Sequence, residues 1–73
     1  MDKTIKYYRL GVELLDEQTK MPIEHLEYEE EQDLEIALDI YESWVIREDC
    51  AKYMYQVTQD GEVLMFSEGY KED

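Results

Sequence analysis

The sequence predicts an α+β fold of element order β-β-α-β-β, with a four-stranded antiparallel sheet in the order 2-1-3-4 and one helix packed on one face. Residues 4–15 and 50–58 alternate between apolar and polar side chains, which is typical of half-buried strands. Residues 29–48 instead repeat their apolar side chains with the period of a helix. Because a helical crossover joins two hairpins, strands 1 and 3 are expected to be the central neighbours.

The first hairpin is predicted from two alternating segments separated by a polar one. Its first strand runs from Thr4 to Leu15, and a return strand with weaker alternation runs from Ile23 to Tyr28. The segment 16–22 between them is polar and ends in Pro22, which has no N–H to donate to a sheet. This segment is therefore predicted to be the hairpin loop.

The helix is predicted within residues 29–48. Carboxylates favour the first turn of a helix, because they meet the positive end of its dipole and accept hydrogen bonds from free N–H groups. The helix is therefore expected to begin between Glu29 and Asp33, and it is expected to end near Glu48 or Asp49. The core stripe, taken at helical spacing around its central tyrosine, is Leu34, Ala37, Leu38, Tyr41, Val45 and the stem of Glu48.

The second hairpin is predicted from a strand at Cys50 to Thr58 and a dipeptide that favours a tight turn. Asp60 and Gly61 suit the two positive-φ positions of a type I′ turn, which would place Val57 opposite Leu64. Turn and alternation together predict one large apolar sheet face beneath the helix. Its members are Tyr8, Leu10, Val12, Leu14, Leu26, Tyr28, Tyr53, Tyr55, Val57, Leu64 and Phe66.

Length and charge limit the class of protein. The 73 residues predict a single small domain of marginal stability, residues 1–73, and seven basic against twenty acidic residues give a formal net charge of −13. This charge argues against direct nucleic-acid binding. No segment reaches the length of a membrane span, which is about 20 apolar residues, and no signal peptide is recognisable. Cys50 is the only cysteine, which is typical of proteins in a reducing compartment. We therefore expect a cytoplasmic protein.

No constellation of residues predicts catalysis. His25 is the only histidine and has no matching nucleophile or ligand set, while Glu48 and Asp49 disfavour a reactive thiolate at Cys50. The acidic residues do not match the spacing of a calcium loop, and no glycine-rich phosphate loop is present. The sequence therefore predicts a protein that is not an enzyme, with no catalytic residues, metal or cofactor.

The predicted helix carries an acidic flank of four carboxylates at i,i+4 and i,i+3 spacing: Glu31, Glu35, Asp39 and Glu42. Like charges at this spacing destabilise a helix by a few tenths of a kcal/mol per pair, so the flank is either a tolerated solvated surface or a binding surface. The leading hypothesis is a non-enzymatic acidic interaction protein that binds a larger basic protein. Its most specific form is a DNA-mimic inhibitor of a nucleic-acid-acting enzyme, of the type that phages make.

Two apolar surfaces support an alternative hypothesis. The other flank of the predicted helix carries Ile36, Ile40 and Trp44, and the open sheet face is expected to expose Tyr7, Met54 and Met65. Exposed apolar clusters rich in aromatic residues and methionine often mark interfaces. The alternative is therefore a homodimeric structural or accessory protein whose acidity serves solubility only.

Overall fold

The computed structural model describes residues 5–70 and contains a four-stranded antiparallel sheet with one helix. The strand order is β2-β1-β3-β4, as the sequence predicts. The start predicted for the first strand, Thr4, lies outside the described residues. The elements are β1 (Ile5–Leu15), β2 (Pro22–Glu31), α1 (Leu34–Ser43), β3 (Cys50–Thr58) and β4 (Gly61–Glu68).

The first hairpin has a shorter loop and a longer return strand than predicted, because Pro22 is the first residue of β2 instead of the last residue of the loop. In the loop, the Asp16 carboxylate accepts hydrogen bonds from the backbone N–H of Gln18 at 2.8 Å and of Thr19 at 2.9 Å. These bonds hold the pKa of Asp16 below its usual value. β2 continues three residues beyond the predicted Tyr28 and ends at Glu31, so part of the acidic run belongs to a strand.

The helix begins where the sequence predicts but ends earlier than predicted. Asp33 is the N-cap, and its carboxylate accepts from the backbone N–H of Glu35 at 2.9 Å and of Ile36 at 3.3 Å. The predicted end near Glu48 is wrong, because α1 stops at Ser43.

The reason for the early end is the distance that the crossover must span. β2 ends opposite Tyr8, and β3 begins at Cys50 opposite Leu14. Six residues of strand measure about 20 Å, whereas a helix over 29–48 would measure about 30 Å. A ten-residue helix of about 15 Å, followed by the non-helical residues 44–49, fits this distance.

The core lies between α1 and the two central strands. Leu10 of β1 and Met54 of β3 are directly opposite each other and both are 0% exposed. They form one cluster with Tyr8, Ala37 and Tyr41. The helix therefore covers the face of β3 that carries Met54, and the predicted assignment of faces in this strand is wrong.

Gly11 explains why β3 takes this orientation. Tyr53 lies opposite Gly11 on the sheet face away from the helix, and its ring covers the glycine so closely that a Cβ there would be 2.5 Å from Cζ. On the helix side, the same orientation places Lys52 under the end of α1. The predicted core face is wrong for Tyr28, Tyr53, Tyr55, Val57 and Leu64, which alternate onto the open face.

The register of the second hairpin also differs from the prediction. Thr58 pairs with Gly61, so the turn residues are 59 and 60, and Val57 faces Glu62 instead of Leu64. The Thr58 hydroxyl accepts from the Asp60 N–H at 3.1 Å and donates to the Gly61 carbonyl at 3.2 Å. These bonds fix a two-residue turn one position earlier than predicted, and Gly61, directly after the turn, has a positive φ of 135°. A second shift between Met54 and Tyr55 brings Phe66 opposite Met54, on the helix side.

No helix within residues 5–70 has the length and apolar character needed to cross a membrane.

Candidate functional site

Acidic charge is concentrated in one continuous part of the chain. Residues 21–46 contain nine acidic residues and no lysine or arginine. This part forms β2 and α1, with the turn between them. Two of the basic residues outside it are engaged elsewhere, since the Lys52 amine is buried under α1 and Arg9 pairs with Glu62.

The predicted acidic flank is not one continuous row. Glu35, Asp39 and Glu42 lie on α1 and are exposed. The prediction is wrong for Glu31, which is the last residue of β2 and accepts a hydrogen bond from the Asp33 backbone N–H at 3.1 Å. Three carboxylates therefore remain on the helix, and the predicted acidic flank of four does not form.

A second row of carboxylates, which the sequence analysis missed, lies on β2. Glu27, Glu29 and Glu31 pair with Val12, Leu10 and Tyr8 of β1, so all three project on the helix side of the sheet. Carboxylates at alternate positions of a strand are about 6.7 Å apart. We call this set the β2 acidic row. In the sequence these glutamates occur at every second position, as in a strand. This pattern was overlooked because the helix was predicted to begin as early as residue 29.

The β2 acidic row lies at an open edge. β2 is the first strand in the sheet order, and within the described residues no strand pairs with its outer side. Nine of its ten residues are exposed, and the tenth is half-buried. Both the side chains of the row and one line of backbone N–H and C=O groups are accessible to a partner.

The predicted apolar flank of the helix is partly buried. Ile40 and Trp44 pack against the core cluster, while Ile36 stays 48% exposed. Trp44 also lines a cavity of about 320 Å³ together with Leu26 and Glu27 of β2. This flank therefore faces β2, and most of it contributes to packing within the fold.

The predicted apolar patch on the open sheet face does not form. Met54 is in the core, and Met65 is partly buried and packs against the same cluster, so placing them on the open face is wrong. Tyr7 is half-buried. The open face instead carries tyrosines and charged groups, together with Val57 and Leu64.

These tyrosines and charges surround Arg9. Its guanidinium carbon lies 4.7 Å from the ring centre of Tyr55 and 5.6 Å from that of Tyr53, in cation–π geometry, and its Nη2 donates to Glu62. A cavity of about 420 Å³ opens beside these groups. At its other end the Tyr70 hydroxyl donates to the Glu13 carboxylate at 2.5 Å.

Buried tyrosines give the fold a specific alkaline response. Burial raises the pKa of Tyr41 to about 12, and its hydroxyl has no partner among the described residues. The unfolded chain, with a tyrosine pKa of about 10, releases this proton first, so folded-state stability is lost as the pH rises from 10 to 12. We expect urea unfolding at pH 11 to show a loss of roughly 1 kcal/mol from this group relative to pH 8.5.

Tyr41→Phe is the control for that measurement. It removes the titrating hydroxyl and keeps the ring contact with Phe66, at 5.9 Å between centres. The variant should lose less stability than the parent between pH 8.5 and 11. An equal loss would show that Tyr41 does not contribute to the alkaline response.

Within residues 5–70, no group of three or more histidine, cysteine, aspartate or glutamate side chains is arranged to hold a metal ion. No family model matches the chain, and no curated protein and no solved structure has significant similarity to it.

Proposed function

We propose that the chain is a non-enzymatic interaction protein that binds a basic surface of a larger protein through β2 and α1. The observation that carries this proposal is the separation of charge, since nine carboxylates and no lysine or arginine occupy residues 21–46. A patch of one sign attracts a partner of the opposite sign and accelerates the encounter.

The β2 acidic row is the better candidate for the contact. Its three carboxylates share one side of a regular strand, and Leu26, next to Glu27 in the same strand, is 41% exposed. Apolar surface beside complementary charge is the usual composition of a protein interface. By contrast, Glu35, Asp39 and Glu42 lie on a helix, whose backbone N–H and C=O groups bond one another and offer no edge to a partner.

The more specific hypotheses have less support. The DNA-mimic hypothesis requires four carboxylates in a row along the helix, and Glu31 is not part of the helix. The homodimer hypothesis needs two exposed apolar surfaces, but Met54 of the sheet face is fully buried, and Ile40 and Trp44 of the helix flank pack against the core. We therefore propose the broader function, binding to a basic protein.

The test is capture of partners from cytosol by the immobilised protein at low and at high salt. We expect retained proteins to have a basic surface and to be released as salt rises, because screening shortens the reach of surface charge. A control column carries an unrelated protein of similar size and net charge, so that general anion exchange is subtracted. If nothing basic is retained beyond that control, the proposed function is wrong.

A further inference from the structure

We infer that β2 is a strand-addition site, at which an extended basic segment of the partner pairs with the outer edge of the strand. This inference rests on the proposed function and specifies the contact. Strand addition is a common mode of peptide recognition, in which backbone hydrogen bonds supply affinity and alternate side chains supply specificity.

The backbone of β2 is suited to accept another strand. From Glu27 to Glu31 it pairs with β1 residue for residue, and the register shifts of this pair lie before Glu27. Pro22, the only proline, is the first residue of the strand, so it leaves this regular part free to donate and accept. The regular part of β2 thus presents an uninterrupted edge.

Charge selects the occupant of this edge. Side chains directly opposite each other in antiparallel strands lie about 4.5–5.5 Å apart, where opposite charges attract and like charges repel. A strand with lysine or arginine at alternate positions would face Glu27, Glu29 and Glu31. Pairing of β2 with β2 of a second copy would bring carboxylates together, so the same row disfavours self-association through this edge.

The other edge of the sheet is less suited to this role. β4 is shorter and has a register shift, at which Met65 has no partner in β3. Its acidic residues, Glu62 and Glu68, are separated by five residues, and Glu62 already pairs with Arg9.

The probe for this site is a synthetic eight-residue peptide that alternates lysine with valine. The matched control peptide has the same sequence and charge but is N-methylated at four successive central residues, which removes the backbone donors on both edges. We expect the first peptide to bind at least about tenfold more tightly at moderate salt. It should also slow hydrogen exchange at alternate amides of residues 27–31.

A variant pair locates the contact on the protein. Glu27→Gln, Glu29→Gln and Glu31→Gln together should weaken peptide binding at least about fivefold, since each cross-strand charge pair contributes modestly. Glu35→Gln, Asp39→Asn and Glu42→Gln together remove the same charge from α1 and should have a smaller effect. Amide spectra of both variants check that the fold is kept.

The outcomes separate this inference from the proposed function. Equal binding of the two peptides, or protection outside β2, would mean that attraction is only electrostatic and would overturn strand addition. If neither peptide bound, strand addition would also be overturned. The β2 acidic row would then serve only to prevent other strands from pairing with this edge. In both cases the capture experiment still decides whether the chain binds a basic protein.

Discussion

Met54→Asp should leave the protein unfolded in water at room temperature. Met54 is 0% exposed and lies opposite Leu10 beneath the helix, so the carboxylate would be buried without a partner. An unpaired buried charge costs several kcal/mol, and a 73-residue domain has only about 4–11 kcal/mol of stability. Far-ultraviolet circular dichroism, with a urea titration, measures the loss.

Tyr55→Asp is the matched control for this variant. The two residues are neighbours in β3, and the added charge is the same, but Tyr55 lies on the open face against Arg9. We expect a loss of about 1–2 kcal/mol from the missing ring contacts, with the fold retained. If Tyr55→Asp unfolded the protein and Met54→Asp did not, the buried face of β3 would be the one that carries Tyr55, as the sequence analysis expects.

Lys52→Ala should destabilise the protein by about 2–4 kcal/mol. The Lys52 side chain is 6% exposed, and its amine donates to the backbone carbonyls of Tyr41 at 2.7 Å and Trp44 at 3.0 Å. The last turn of α1 contains no basic residue, so this amine supplies both the hydrogen bonds and the positive charge that a helix C-terminus favours. The amine is also 4.3 Å from the centre of the Tyr41 ring.

The control for Lys52 is Lys6→Ala, which removes the same charge from an exposed position of β1. It should change the free energy of unfolding by less than about 0.5 kcal/mol. Lys52→Met should fall between the two, because it keeps the buried stem and loses the hydrogen bonds. Equal effects of Lys52→Ala and Lys6→Ala would mean that the end of the helix does not depend on this amine.

The strand order and the start of the helix could be predicted from local chemistry. Two hairpins joined by one helical crossover leave few simple arrangements, and Asp33 has the short acceptor side chain that a helix N-cap requires. The bounds of β3, Cys50–Thr58, also agree with the prediction.

The faces of β3 could not be predicted from alternation. Apolar or amphipathic side chains occupy both faces of this strand, so a period of two does not show which face is buried. The choice depends on two long-range contacts, Tyr53 over Gly11 and Lys52 beneath α1. A buried lysine also resembles a surface residue in any sequence pattern.

The candidate site was missed for a related reason. Glutamate is a good helix former and a poor strand former, so the run at 29–31 favoured a helix. In the fold, pairing with Tyr8, Arg9 and Leu10 of β1 outweighs that preference. The charge of the segment was visible in the sequence, but its placement on a sheet edge was not.

The measurement that tests the central claim most directly is partner capture by the two triple variants at low salt. They remove equal charge, one from Glu27, Glu29 and Glu31 on β2, the other from Glu35, Asp39 and Glu42 on α1. We expect the β2 variant to lose the partner and the α1 variant to retain most of it. Loss in the α1 variant with retention in the β2 variant, or equal retention in both, would contradict binding through the β2 acidic row.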